Sequence, residues 1–309
     1  MQCQRPDKSH QRSHNFESSP FLLENKREYQ EWRQRKLNLR PTNVDELMLR
    51  IRDPWQLSEN EKTALMQNIR RANMSLYQLD DPQSMNKSAL KAMCAQLGLQ
   101  QLDSNLCSDS DGISSITVRQ QRRVGEYIPY TNSPISWHCD GYYNETQQQI
   151  RGMVLHCVQQ AGAGGRNGFL DPELVYIALR DASPDFILAL MQADAMTIPA
   201  NQQGEVEIRP AVSGPVFSVD SGGRLHMRYT ARTRSIEWKQ DNVTLAAAAF
   251  IRDYLNSENT DQYFHCLLPG QGIISNNVLH CRDSFEDNQG GPRLLFRARY
   301  YDVIDASLI

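Results

Sequence analysis

The apolar positions of this chain change their spacing along its length. Between about residues 26 and 100 they recur at helical intervals. Leu65, Ile69, Met74 and Leu76 predict one apolar stripe, and Leu90, Met93, Cys94 and Leu97 predict another that Gly98 stops. Asn43-Val44-Asp45-Glu46 reads as a helix start, and Ser58 followed by Glu61 has the spacing of a capping box. From Ile113 the period shortens toward two, as in Ile116-Thr117-Val118, and residues 119–123 read as an exposed Arg/Gln turn. The run Gly152-Met153-Val154-Leu155-His156-Cys157-Val158 predicts a central strand, with His156 as a core histidine. A helix is predicted over 172–192, opened by Pro172, and another over 243–256. Short strands are expected at 205–210, 215–219, 224–230 and 263–268. Pro269-Gly270 then turns the chain into 272–279, and a last strand follows from Pro292.

Many short strands separated by turns, with a few helices, predict a mainly β chain of α+β type. The architecture expected is a double-stranded β-helix, the cupin-like jelly roll, with a helical N-terminal extension. Residues 1–25 are rich in Ser, Gln, Asn and His and read as a disordered tail; His10 and His14 are part of it. Residues 26–110 read as a helical region packed on the core, and 111–309 as the jelly roll itself.

With 309 residues, 40% of them hydrophobic, the chain can bury one sizeable core. A net charge of −3 and a pI near 6.2 argue against a nucleic-acid partner. No apolar run approaches the ~20 residues of a membrane span, and the polar start does not resemble a signal peptide. Seven cysteines without CxxC pairs fit reduced thiols and a cytoplasmic location. Homo-oligomerisation is left open.

The chemistry concentrates in Trp137-His138-Cys139-Asp140-Gly141-Tyr142-Tyr143 and in Val278-Leu279-His280-Cys281-Arg282. On an extended segment His138 and Asp140 project from one face while Cys139 turns away. A distal His280 on a neighbouring strand completes two imidazoles and one carboxylate, the facial ligand set of non-haem Fe(II) oxygenases. Downstream, Arg293 and Arg297 share a face of a largely apolar strand. Buried guanidinium groups need an anion, and the planar fork of Arg matches a carboxylate. A metal and an anchor for a dicarboxylate are therefore expected together.

These residues resemble the Fe(II)/2-oxoglutarate-dependent dioxygenases of the taurine dioxygenase and clavaminate-synthase-like group, over about residues 115–302. Gly164-Gly165-Arg166-Asn167 resembles that family's Gly-Gly-x-Thr/Asn segment. Residues 268–282, from Leu268-Pro269-Gly270 to His280-Cys281-Arg282, resemble its stretch around the distal histidine. The resemblance implies His138, Asp140 and His280 as iron ligands. It implies Arg293, helped by Asn167, as the partner of the distal carboxylate of 2-oxoglutarate, and Arg297 as a contact of the prime substrate. The chain departs from the pattern at Asn277, where the family usually has Arg, and at Cys281, where it often has Gly.

What the resemblance implies is O2-dependent hydroxylation of a small substrate with release of succinate and CO2. Because Asp140 is present, oxygenation is expected rather than halogenation. Arg297, Arg299 and Arg228 suggest an anionic or zwitterionic substrate, and Trp137, Tyr142 and Tyr143 could pack around its apolar or cationic part. Tyr229 is a further candidate contact, whereas Arg232 and Arg234 read as surface charges. The segment around Gln147 and residues 232–237 are candidate lids. Two other readings stay open on the residues: a cupin-type metalloenzyme that is not an oxygenase, and a non-catalytic interaction protein on the same scaffold.

Overall fold

In the computed structural model, which describes residues 16–104, 109–118, 128–203, 206–232, 236–287 and 291–306, the chain divides into two units. The helices are α1 Lys26–Leu39, α2 Glu59–Ala72, α3 Lys87–Ala95, α4 Pro172–Ala182, α5 Pro184–Leu190 and α6 Asn242–Asn256. One unit takes residues up to 40 together with 172–228 and 233–257; the other takes 41–171, 229–232 and 258–309. His10, His14, residues 119–123 and Arg234 lie outside the described residues.

The second unit holds the candidate chemistry. The strands of its two larger sheets are β1 Met48–Ile51, β2 Met74–Leu79, β3 Ser114–Ile116, β4 Ile135–His138, β5 Gly152–Gln159, β6 Asn167–Leu170, β7 Gln262–His265, β8 Gln271–Ser275, β9 Leu279–Arg282 and β10 Leu294–Tyr300. A six-stranded sheet runs β1-β2-β8-β5-β10-β3, and a four-stranded sheet runs β7-β6-β9-β4. Apart from the parallel β1–β2 pair, the pairings in these two sheets are antiparallel.

Alternation along the strands sorts the large sheet's two faces. Tyr77, Val154, Ile274, Ala298 and Tyr300 face α2 and α3 and pack with Leu65, Ile69, Leu90 and Met93. Leu76, Leu155, Ile273 and Leu295 point the other way, onto Phe169, Tyr263 and Val278. This is the two-sheet sandwich expected of a jelly roll. His156 belongs to the helix-facing side. It is fully buried, stacks on Tyr77 and Phe296, and its Nδ1 bonds the Tyr77 hydroxyl at 3.0 Å. It does not face the cavity.

The expected helical region contains two strands. Asn73 adopts φ 55° and ends α2, so Met74 and Leu76 are on β2 rather than on a continued helical stripe. Asn73 is suited to this, because Asn is among the few residues that tolerate the left-handed region. The Asn43 start yields only a single 3-10 turn, Val44–Leu47, before β1, whereas the Ser58–Glu61 capping box forms as the spacing predicts.

In the first unit, the predicted helix over 172–192 is two helices. Pro184 opens α5, and the Ser183 side chain caps it by accepting from the Asp185 N–H. Residues 16–25, expected within a disordered tail, pack here instead. Phe21 is buried against Trp32 and Tyr176, and the Arg180 guanidinium, 3.7 Å from the Tyr29 ring, donates to the Pro20 carbonyl at 2.8 Å.

Candidate metal centre

Register brings the two imidazoles together. β9 pairs antiparallel with β4 so that His280 stands directly across from His138, with ring centroids 4.2 Å apart. Asp140 follows two residues after the end of β4. One ligand atom from each of His138, Asp140 and His280 lies within 4.8 Å of the others, and all three residues are buried. His138 Nε2 is 3.8 Å from Asp140 Oδ1.

The outer contacts aim these donors. His138 Nδ1 lies 2.9 Å from the Ser136 carbonyl, and His280 Nδ1 lies 3.0 Å from the Val278 carbonyl. A carbonyl can only accept, so each Nδ1 carries the proton and each Nε2 keeps a free lone pair. Burial, then the neighbouring His280, pushes the His138 pKa down to about 3; burial likewise lowers His280. Both rings are therefore neutral, the form that binds a metal. Burial alone would raise the Asp140 pKa, but the charges of Arg297 and then Arg299 override it and hold the carboxyl well below its ordinary range. Asp140 Oδ1 accepts from Arg297 Nη1 at 3.2 Å, while Oδ2 is buried with no hydrogen-bond partner among the described residues. Two neutral imidazole nitrogens, an ionised carboxylate and an orphaned carboxylate oxygen fit a divalent ion, which would satisfy that oxygen.

A cavity opens beside the three donors, with about 410 Å³ of space including its mouth. Its apolar walls include Ile116, Leu155 and Leu295, and its polar lining includes Asn167, Arg282, Arg293 and Arg297. Arg293 is buried, its guanidinium 5.0 Å from the Phe285 ring, and it makes no side-chain hydrogen bond or ion pair among the described residues. Burial pushes its pKa down, and the charge of Asp287 does not offset it. Asn167 donates weakly to the Cys281 carbonyl at 3.4 Å, and its buried Oδ1 has no partner among the described residues.

The other expected contacts are placed differently. Trp137 alternates away from the cavity and packs on Phe264 over Gly168, where a Cβ would also collide with the Cys281 sulfur. Cys281 and Gly168 are directly paired on β9 and β6, so the cysteine fills space that the glycine leaves. Tyr142 sits edge-on to His138 with centroids 6.3 Å apart, outside the cavity lining. Arg228 belongs to the first unit, where its guanidinium donates to the carbonyls of Met196, Gly214 and Val212. Arg299 pairs with Asp103 and donates to the Tyr143 hydroxyl at 2.7 Å, so its charge is already answered.

The roles of two residues escaped the sequence reading, which noted Asn277 only as a departure from the family's usual Arg. Arg282 lines the cavity and donates to the carbonyls of Thr131 (2.8 Å) and Ser133, tying the segment before β4 to the strand of His280. Asn277 holds the backbone of Asp140. The signal for Asn277 was that departure, an Asn three residues before His280; in the structure it takes φ 50°, which Asn tolerates.

The model of the taurine catabolism dioxygenase TauD, TfdA family matches residues 49–299. The chain belongs to this family. The chain is also similar to a uridine-5'-phosphate dioxygenase of Amycolatopsis sp, 29% identical over 176 residues, 55% of this chain. The matched stretch spans 62% of that relative's length. An asparagine oxygenase, solved with Fe(II), a hydroxyasparagine and succinate, shares 13% identity with a TM-score of 0.53, covering 96% of this chain and 92% of its own. The non-haem iron oxygenase OrfP, solved with Fe and α-ketoglutaric acid, shares 14% with a TM-score of 0.56, over 79% and 80% of the two chains. PvcB from Pseudomonas aeruginosa shares 15% with a TM-score of 0.54, over 82% and 85%. These likenesses show that this chain shares their fold.

Proposed function

We propose that this chain is an Fe(II)- and 2-oxoglutarate-dependent oxygenase that hydroxylates a small anionic or zwitterionic molecule. The observation that carries the reading is one cavity lined by His138, His280 and a buried Arg293 that makes no ion pair among the described residues, with Asp140 grouped beside the two histidines and its Oδ2 without a described partner. His138, Asp140 and His280 would hold the iron. The chemistry such a centre supplies is O2 activation coupled to decarboxylation of the keto acid, leaving succinate, CO2 and an oxygenated substrate.

The chain's own groups do the rest. Arg293 binds the distal carboxylate of 2-oxoglutarate, with Asn167 offering a polar wall beside it. Arg297 steadies Asp140 through one oxygen and presents the rest of its guanidinium to the cavity, where an anionic substrate would meet it. Leu155, Ile116 and Leu295 keep water from the reacting end. The name of the Amycolatopsis relative places uridine-5'-phosphate first among the substrates to try, with small amino acids after it. We further propose a cytoplasmic location, supported by the unpaired thiols of Cys94, Cys139, Cys157, Cys266 and Cys281.

Anaerobic titration of Fe(II)-loaded protein with 2-oxoglutarate tests the reading. A weak, saturating visible charge-transfer band is expected, followed by succinate release when O2 and the correct substrate are added. Fully metallated protein without the band would overturn it in favour of a metal site that is not an oxygenase.

A further inference from the structure

Asp140 lies beyond the last ladder residue of β4, in a turn that the sheet does not hold. The last backbone bond of the strand's continuation is Cys139 N–H to the Tyr229 carbonyl, at 3.0 Å. Immediately afterwards Gly141 takes φ 70°, so close to Ile150 that a Cβ would come within 2.4 Å of its side chain. A carboxylate ligand at such a place would move with the turn unless something fixed its peptide.

Asn277 does so. Its Oδ1 accepts from the Asp140 N–H at 2.8 Å, and its Nδ2 donates to the Asp140 carbonyl at 2.9 Å. The second Nδ2 hydrogen goes to the Ile150 carbonyl at 2.7 Å. One side-chain amide thus pairs with both polar groups of the Asp140 backbone, as a neighbouring strand would. Asn277 is 2% exposed, and these three bonds use both of its donors and its acceptor oxygen. It stands three residues before His280, so it links the carboxylate ligand directly to the segment that carries the distal imidazole.

We propose that Asn277 is the positioning residue of the metal centre, holding Asp140 in register with His280 before any metal arrives. This rests on the three-donor site described above, but not on 2-oxoglutarate or on the identity of the substrate. Partners that orient metal ligands typically change metal affinity about 10–100-fold when lost.

The test is Co(II) binding to the full chain, followed by calorimetry and by the ligand-field absorption of the ion. Asn277→Gly keeps a residue at ease at positive φ and removes only the side chain. Asn277→Asp keeps shape but loses both donors. Asn73→Gly, the same change at the other described non-glycine with positive φ, serves as the control. Both Asn277 variants are expected to bind Co(II) about 10–100-fold more weakly, with an altered absorption band, while Asn73→Gly matches the parent even if its melting temperature falls. If one Asn277 variant does not fold, the other carries the comparison. Parent-like affinity and spectrum in a folded Asn277 variant would overturn the inference and leave the metal site standing. Failure of the parent itself to bind Co(II), or binding unaffected by His138→Ala, would instead remove the metal centre and the inference with it.

Discussion

Arg293 and Arg297 stand four residues apart beside one cavity, yet they meet different surroundings. Arg297 already answers the carboxylate of Asp140, whereas the guanidinium of Arg293 makes no ion pair among the described residues, Asp287 accepting only from its backbone N–H. Arg293→Ala is therefore expected to weaken 2-oxoglutarate binding by about 2–5 kcal/mol, the usual cost of truncating one partner of a buried charge pair. Calorimetry with Co(II)-loaded protein measures it, and Co(II) affinity itself should stay unchanged. Arg297→Gln is expected to raise the requirement for the prime substrate more than that for 2-oxoglutarate; the opposite order in steady-state kinetics would swap the two roles. His138→Ala and Asp140→Ala should each abolish 2-oxoglutarate turnover without unfolding the chain, read as succinate release beside circular dichroism. The His-Asp-His group was legible in the sequence as a His-x-Asp triplet with a distal His, although Asp140 joins it from a turn beyond β4 and not by the strand alternation expected. Asn277 was not, because its contact to Asp140 joins residues 137 apart. Trp137 and Arg299 misled for one reason: residue type says what a side chain can bind, and packing decides what it does bind.

At the scale of elements, β10 shows how one strand serves two layers. Phe296, Ala298 and Tyr300 pack on the helices, while Leu295 and Arg297 line the cavity. Its continuous apolar and arginine character was readable; which face met water was not. Local signals succeeded where the controlling contacts are local. The Ser58 box closes with Ser58 Oγ accepting from the Glu61 N–H, and the Glu61 carboxylate accepting from the Ser58 N–H at 2.6 Å. Ser58→Ala is expected to cost about 1 kcal/mol, visible as a melting temperature lower by about 2–4 °C, with 2-oxoglutarate affinity unaltered. The helical expectation failed at Met74 because Asn73 turns the chain and β2 then finds partners on both sides, β1 and β8. A strand buried on both faces reads as a continuous apolar run, which a helix end can imitate.

For the whole molecule, buried histidines make stability depend on pH. His156 is held at a pKa of about 4 by burial, below the ~6.5 of an exposed imidazole. Between those values the unfolded chain binds the proton that the folded chain refuses. Stability therefore rises with pH across this window, is complete above about 6.5, and is lost as pH falls toward 4, by on the order of 3 kcal/mol. Denaturant unfolding of the metal-free protein at pH 4.5, 5.5 and 7 should show this slope, to which the buried His138 and His280 add, and His156→Phe should make it shallower whatever its effect at pH 7. An unchanged slope in that variant would assign the acid sensitivity elsewhere. The division into units follows the same long-range logic. Residues 26–110 were expected to act as one region, yet α1 joins α4, α5 and α6 while the chain from Pro41 onward joins the sheets.

Taken alone, the order of residues specified what depends on neighbours in the chain: strand alternation, helix caps, the ligand types and the arginines that follow them. It thereby specified the family's jelly roll and the His138, Asp140 and His280 group that could hold a metal. Folding in three dimensions settled which buried charges are answered and which are not. Arg297 found Asp140, Arg299 found Asp103, Arg228 found carbonyls, and Arg293 was left facing the cavity. A charge taken out of water must be compensated by whatever lies within a few ångströms, and which groups those are is set by contacts between residues far apart in sequence.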